Sequence, residues 1–469
     1  MMGKEETKIT EASVKFQYLA ALVVNMLTVG YGVTSGWSSP SILLLKSDES
    51  PLPTGKITTE ESSWIASLIS IGALIGNIVC GYASNKFGRK LPLLFLTIPT
   101  IIGWTLVLFA KNVFYLYASR ALNGFVGGGV FVIIPTFLSE IAVDRVRGSL
   151  GSTLALAWNV GILLAFTFGN YLDFNATPKF VIALMILTAV LLCFFPESPT
   201  FLYKQNKILE AEKSIRFYQN LTGKANDYEL LQIELNKLKT MIGNVEKNES
   251  NSKLSWSDLL NGPGKKAMMI GIVLSLLNQF CGCFAMLNYT ANIFKEAGSS
   301  VSPNKSAIVV GVIKLIGSYI STNLVDRAGR KFLFIVSSIG IALGLSTLGV
   351  YMLLKTRGYP IEAYNWIPLV SFSFVIFIAN WAVLTLTFLV ISEIMPENLK
   401  SFGSSFCMVL LWTSSFFVIK FLPLMTETLE IHGTMFLFSG LCLCGTTFIV
   451  FYMPETKGRS YVEIMKLLE

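Results

Sequence analysis

Runs of about 20 apolar residues recur along almost this whole chain. A run of that length lets one helix cross the ~30 Å hydrocarbon core of a bilayer. A soluble chain would carry nearer a quarter of its residues as charges. Here only 14% are charged and the mean hydropathy is +0.60 over 469 residues. A transmembrane barrel would alternate in-and-out residues in short strands, whereas these runs are continuous. The sequence therefore predicts an all-α, multi-pass membrane protein.

A polar interruption divides the chain. From Pro196 to Lys266 it turns charged, with apolar residues at approximately helical spacing in KILEAEKSIRFY (Ile208, Ala211, Ile215, Phe217) and YELLQIELNKLKTMI (Leu231, Leu235, Leu238). These read as amphipathic helices lying under the membrane domain. The runs before it lie near 16–33, 62–82, 91–110, 114–141, 150–172 and 180–195. Those after it lie near 268–294, 307–325, 332–354, 366–394, 402–424 and 435–453. We number them spans 1 to 12. The expected organisation is a tail (1–15), a six-helix bundle (16–195), linker helices (196–266), a second bundle (267–453) and a tail (454–469).

The two bundles repeat. GYASNKFGRK after span 2 matches NLVDRAGRK after span 8, SEIAVDRVRG after span 4 matches SEIMPENLKSFG after span 10, and PES at Pro196 matches PET at Pro454. Arg89 and Arg330, Glu140 and Glu393, and Glu197 and Glu455 are thereby paired at offsets of 241, 253 and 258. A parallel repeat of two six-helix halves is the architecture of a transporter.

Orientation follows from basic residues. Of the 37, 26 fall on the side holding both termini, eight on the other, and three (Arg120, Lys314, Lys420) inside spans. Both termini are therefore expected in the cytoplasm. This distribution assigns the net charge of +8 to membrane topology and not to nucleic acid. No cleavable signal peptide is apparent, and with no retention signal evident the plasma membrane is expected. All seven cysteines lie in apolar runs, as packing residues and not disulfides. One histidine, His432, makes a histidine-based metal site improbable. No nucleophile–base pair is evident, so no enzyme and no cofactor is expected. Of the N-x-S/T triplets, only that at Asn175 falls in an outer loop.

Acids and bases cluster at the cytoplasmic span ends: Arg89, Glu140, Arg147 and Glu197 in the first half, Asp326, Arg330, Glu393, Lys400 and Glu455 in the second. Anchoring would need only cations. The acids predict ion pairs that clamp the halves while the cytoplasmic side is closed.

GYASNKFGRK, SRALNGFVGGG, PTFLSEIAVDRVRG, PESPTFL, NQFCGCFAMLNYTANIF, VDRAGRK, SEIMP and PETKGRS together resemble the sugar-porter branch of the major facilitator superfamily. Within it the chain looks most like the insect facilitated trehalose/glucose transporters and their animal hexose relatives. The resemblance implies twelve transmembrane helices in two repeats. It also implies facilitated sugar transport by a monomer in the bilayer. Asn278 and Gln279 occupy its paired-glutamine position, which implies sugar contact, although buried amides also hydrogen-bond between helices. Asn288 and Tyr289 occupy its paired-tyrosine outer gate, and Trp412 its tryptophan near the sugar.

Several family positions differ. The span 5 glutamine is Ala155, the asparagine after the span 7 glycine is Phe284, and the span 8 asparagine is Lys314. The span 10 acid is Asn380, its tryptophan is Phe388, and the span 11 asparagine is Ser415. Lys314 lies too deep to snorkel, which leaves ligand oxygens or a neighbouring helix as partners. Lys420, nearer an end, has snorkelling as its alternative. Proton-linked members carry an aspartate in span 1 where this chain has Gly32, which favours uniport over symport. A non-transporting sensor would be expected to have long cytoplasmic tails, and these are about 15 residues each.

Overall fold

The computed structural model describes residues 13–221, 225–251, 262–396, 399–459 and 461–468. It contains 12 helices long and apolar enough to cross a membrane. In the first half these are Lys15–Leu45, Thr59–Phe87, Lys90–Leu108, Val113–Ile141, Asp144–Tyr171 and Ala176–Cys193. In the second, span 7 is built from Gly262–Phe280, Cys283–Asn288 and Thr290–Ala297, and spans 8 and 9 are Pro303–Ala328 and Arg330–Thr356. Span 10 is built from Ile367–Ala379 and Thr387–Ile394, and spans 11 and 12 are Lys400–Thr428 and Glu430–Tyr452. Helices Pro199–Lys204, Ile208–Tyr218 and Ala225–Asn251 lie between the halves in sequence, and Tyr461–Leu468 follows span 12. All seven cysteines are free.

Helix ends carry local signals. Thr58 and Glu61 form a capping box at span 2, each side chain taking the other's backbone N–H, and Asn112 caps span 4. Lipid tails are as apolar as leucine, so packing and not hydrophobicity joins spans. Spans 2 and 4 accordingly meet backbone to backbone: a Cβ on Gly72, Gly76, Gly124 or Gly128 would overlap a carbonyl of the facing helix.

Three spans differ from the sequence expectation. Span 1 does not end near Val33 but continues helical to Leu45 through the polar stretch GVTSGWSSP. Its hydroxyls turn back onto the helix, Thr34 donating to the Gly30 carbonyl and Ser35 to that of Tyr31, both at 3.0 Å, so polar residues continue the helix. Span 7 breaks at Gly282, where φ is 75°. Span 10 breaks over residues 380–386. Both breaks lie in buried protein, where non-helical backbone is tolerated at membrane depth.

The charged clusters form two copies of one network. In the first half Arg89 pairs with Glu140 at 2.8 Å, and the Glu197 carboxylate accepts the N–H groups of Arg89 and Lys90 at 3.0 Å each. In the second, Arg330 pairs with Glu393 at 3.3 Å, and Glu455 accepts the N–H groups of Arg330 (2.8 Å) and Lys331 (3.1 Å). Ser198 donates to Glu140 as Thr456 donates to Glu393. Each capping carboxylate sits on the N-terminus of span 3 or span 9, where the helix dipole favours it. Gly88 (φ 91°) and Gly329 (φ 87°) let it approach, since a Cβ on either would meet that carboxylate.

In this state the described pairs do not bridge the halves. They join elements of one half: Glu197 and Glu455 cap span 3 and span 9, and Glu140 and Glu393 hold the neighbouring arginines. Arg147 instead pairs with Asp144, one turn before it, at an exposed position. Asp144 also accepts from Lys237 of the linker helix at 2.5 Å. The side chains of Asp326 and Lys400 lie outside the described residues.

Candidate functional site

Where the halves meet, contacts run from mid-depth to the side away from the termini. Ser70 of span 2 and Ser415 of span 11 share a hydrogen bond at 2.9 Å. Lys420 of span 11 donates to Ser63 at 2.8 Å and lies 4.0 Å from the Trp64 ring centroid. It is thus held at the seam with span 2 by specific contacts. The Ala291 N–H donates to Ser39 at 2.9 Å, and Asn304 reaches the Gly169 carbonyl at 3.4 Å. Just beyond span 1, Lys46 attracts Glu296 of the other half. Burial lowers the Lys46 pKa, and the nearby Glu296 carboxylate opposes that shift.

At mid-depth the seam is aromatic. Phe131 of span 4 lies edge-on to Tyr31 (6.0 Å between centroids) and to Trp158 (5.9 Å) in its own half. It stacks at 6.4 Å on Phe388 of the other half, while Trp158 meets Phe284 at 6.1 Å. Trp412 packs with Ala73 and Leu74 of span 2 and with Phe388. The substituted positions Phe284, Phe388 and Lys314 therefore converge. Lys314, fully buried, places its Nζ 4.6 Å from the Trp158 ring centroid and 3.3 Å from Asn380 Oδ1.

The predicted amides hold the broken spans together. Asn278 donates to the Val383 carbonyl at 2.5 Å, inside the break of span 10, and Gln279 donates to Asn278 at 2.8 Å. Interhelical bonding is thus what Asn278 does here, and the fixed amide holds Gln279 beside it. Asn288 donates to the Phe284 carbonyl at 3.0 Å, but its Oδ1 has no protein partner. Tyr289 Oη and Trp412 Nε1 are likewise buried without one.

Sequence reasoning missed Phe131, Trp158 and Asn159. Asn159 lies one turn beyond Ala155 and is 1% exposed, with an unpartnered Oδ1. The available signal was Trp-Asn at mid-span, since tryptophans in membrane helices concentrate at the interfaces. Arg120 was noticed only as an intramembrane charge. It is 2% exposed and ties three spans, donating to Thr34 O (2.5 Å), Ser38 Oγ (2.6 Å) and Ile65 O (2.8 Å).

Gly32 shows why an acid is excluded from span 1. A Cβ there would overlap the Trp158 carbonyl, backbone against backbone. Gly32→Asp is expected to abolish the monodisperse peak in fluorescence-detected gel filtration without creating proton-dependent uptake. Normal yield of the variant would show that the spans can part there.

Two six-helix halves joined around a buried amide and aromatic layer define a transporter of the major facilitator fold. The model described as Sugar (and other) transporter matches residues 20–468, and the chain belongs to that family. It is 34% identical over 454 residues to a protein named facilitated trehalose transporter Tret1 from Bombyx mori, covering 96% of this chain and 86% of that one. It is 30% identical over 460 residues to the protein of that name from Apis mellifera ligustica, covering 98% and 89%. The inward-open structure of the xylose transporter XylE from E. coli is similar in fold, with a TM-score of 0.77 at 20% identity over 97% of this chain and 100% of that one.

Proposed function

We propose that the protein is a facilitative sugar carrier, moving a hexose or trehalose by alternating access across the plasma membrane as a monomer. Both termini and the linker helices face the cytoplasm, and the state described here is the one closed on the outside. The observation that carries this reading is that the mid-depth layer is divided between the halves. Tyr31, Phe131, Trp158 and Asn159 come from one, and Asn278, Gln279, Phe284, Lys314, Asn380, Phe388 and Trp412 from the other. A site shared in this way opens to one side or the other as the halves rock. Asn288, Tyr289 and the Lys46–Glu296 attraction lie on its outer side. The names of the insect relatives support sugar as the cargo. The twin networks of Arg89, Glu140 and Glu197 and of Arg330, Glu393 and Glu455 stiffen each half so that it moves as a body, with Arg147 and the linker docked beside the first. Asp326 and Lys400 are assigned to the same cytoplasmic layer.

Uniport is favoured over proton symport by Gly32, whose contact with span 5 leaves no room for a carboxylate. Oocytes expressing the protein are expected to take up radiolabelled glucose, fructose or trehalose saturably, at a rate indifferent to a proton gradient. Absence of uptake of these sugars by protein shown to be at the surface would remove hexose and trehalose as cargo, and gradient-driven accumulation would replace uniport by symport.

A further inference from the structure

Lys314 stands 11 residues after the start of span 8 and 14 before its end. Its α-carbon is thus about 16 Å or more from either end of the helix. The ammonium has three donors. The described protein offers it one amide oxygen, on Asn380, and the face of Trp158. Asn380 is held in place, its own Nδ2 donating to the Ile376 carbonyl at 2.6 Å. No carboxylate among the described residues forms an ion pair with Lys314.

The sequence shows why. Every aspartate and glutamate in the spans lies within three residues of a helix end. Lys314 is the cation at mid-depth, whereas Arg120 lies seven residues into span 4, inside the first half, where it donates to two carbonyls and a hydroxyl. The mid-depth seam between the halves therefore holds one lysine with no carboxylate among the described residues paired to it. An intramembrane charge without a counter-ion is costly, and such residues face a cavity or a substrate path.

The surroundings define the missing partner. Trp158, Phe284, Phe131 and Phe388 present flat apolar faces, which suit the C–H face of a pyranose. Asn159 Oδ1, next in sequence to Trp158, is a buried acceptor awaiting a hydroxyl. Beside these stands the ammonium. A neutral sugar would give it hydroxyl oxygens. A carboxylate would give it charge-assisted hydrogen bonds, about twice as strong.

Resting on the carrier reading above, we propose that Lys314, set between Trp158 and Asn380, makes this a carrier for sugars that bear a carboxylate, hexuronates foremost. The ligand carboxylate displaces the Trp158 face from the ammonium, the ring stacks on the sugar, and Asn159 accepts a hydroxyl. One negative charge crosses per turnover, so net uptake carries current.

The test compares uptake of radiolabelled D-glucuronate, D-glucose and trehalose by oocytes, with current recorded under voltage clamp. The wild type is expected to take up glucuronate at least tenfold faster than either neutral sugar, with a current that glucose does not produce. Lys314→Asn is expected to reverse that preference, while Lys314→Arg retains it. Neutral-sugar uptake exceeding that of glucuronate in the wild type would overturn the inference and leave the carrier reading intact. So would a glucuronate-to-glucose ratio that Lys314→Asn leaves unchanged while all rates shift together, since Lys314 would then be only a latch on Trp158. Surface-expressed wild type that moves none of the three would overturn both. The wild-type comparison stands even if a variant fails to reach the surface.

Discussion

Arg120→Ala is expected to eliminate the folded protein from the membrane. The guanidinium sits inside the first half, 2% exposed, and its three hydrogen bonds reach spans 1 and 2 from span 4. Hydrogen bonds to a charged group contribute about 1.5–3 kcal/mol each. Losing three amounts to roughly 5 kcal/mol or more, comparable with the whole stability of many proteins. The Trp37 ring, 5.9 Å from the guanidinium carbon, would lose its cation as well. Arg120→Lys is expected to restore only part of the yield, because one ammonium cannot reproduce the planar fork that spans both helices. The check is the monodisperse fraction in fluorescence-detected gel filtration. A variant with near wild-type yield would mean that helix packing alone holds spans 1, 2 and 4.

That residue also marks the boundary of what the sequence could reveal. The membrane class, the twelve spans, the repeat and the family were legible, because hydropathy and charged loops are local signals that length and spacing interpret directly. The matched Arg89/Arg330, Glu140/Glu393 and Glu197/Glu455 positions were legible as a repeat. Their partners were not, because charge spacing cannot distinguish a carboxylate that caps a helix in its own half from one that reaches the other half. The extension of span 1 through GVTSGWSSP escaped for a related reason. Serine and threonine read as loop residues until their hydroxyls are seen bonding back to the preceding turn. The breaks in spans 7 and 10 were hidden because hydropathy reads each segment as one continuous span, although Gly282 and Asn380 stand at the breaks.

The site was half legible. Lys314, Asn380, Phe284 and Phe388 stood out as departures from the family pattern, but that pattern comes from one half at a time. That three of these positions converge on one seam, against Phe131 and Trp158 of the other half, is a tertiary fact. It gathers several scattered departures from the family pattern at one candidate site, with aromatic faces and a single cation side by side.

The twin networks allow an asymmetric prediction. Glu140→Ala is expected to lower stability by about 3–5 kcal/mol, the usual cost of breaking a buried ion pair from one side. It would leave Arg89, whose side chain is 7% exposed, with the Ser84 carbonyl (2.6 Å) and the Phe201 ring (5.6 Å) but no carboxylate in contact with the guanidinium. The equivalent Glu393→Ala is expected to cost distinctly less. Its pair is longer, 3.3 Å against 2.8 Å, and more exposed, 14% and 23% against 7% and 12%. Water therefore compensates the remaining charge better there. If the unpaired charge is the cause, Arg89→Met with Glu140→Met should recover most of the loss, since apolar replacement of both partners is often neutral. Apparent melting temperatures in detergent decide the matter. Equal losses for the two glutamates, or no recovery in the double variant, would show that Glu140 acts through its bond from Ser198 and not through Arg89.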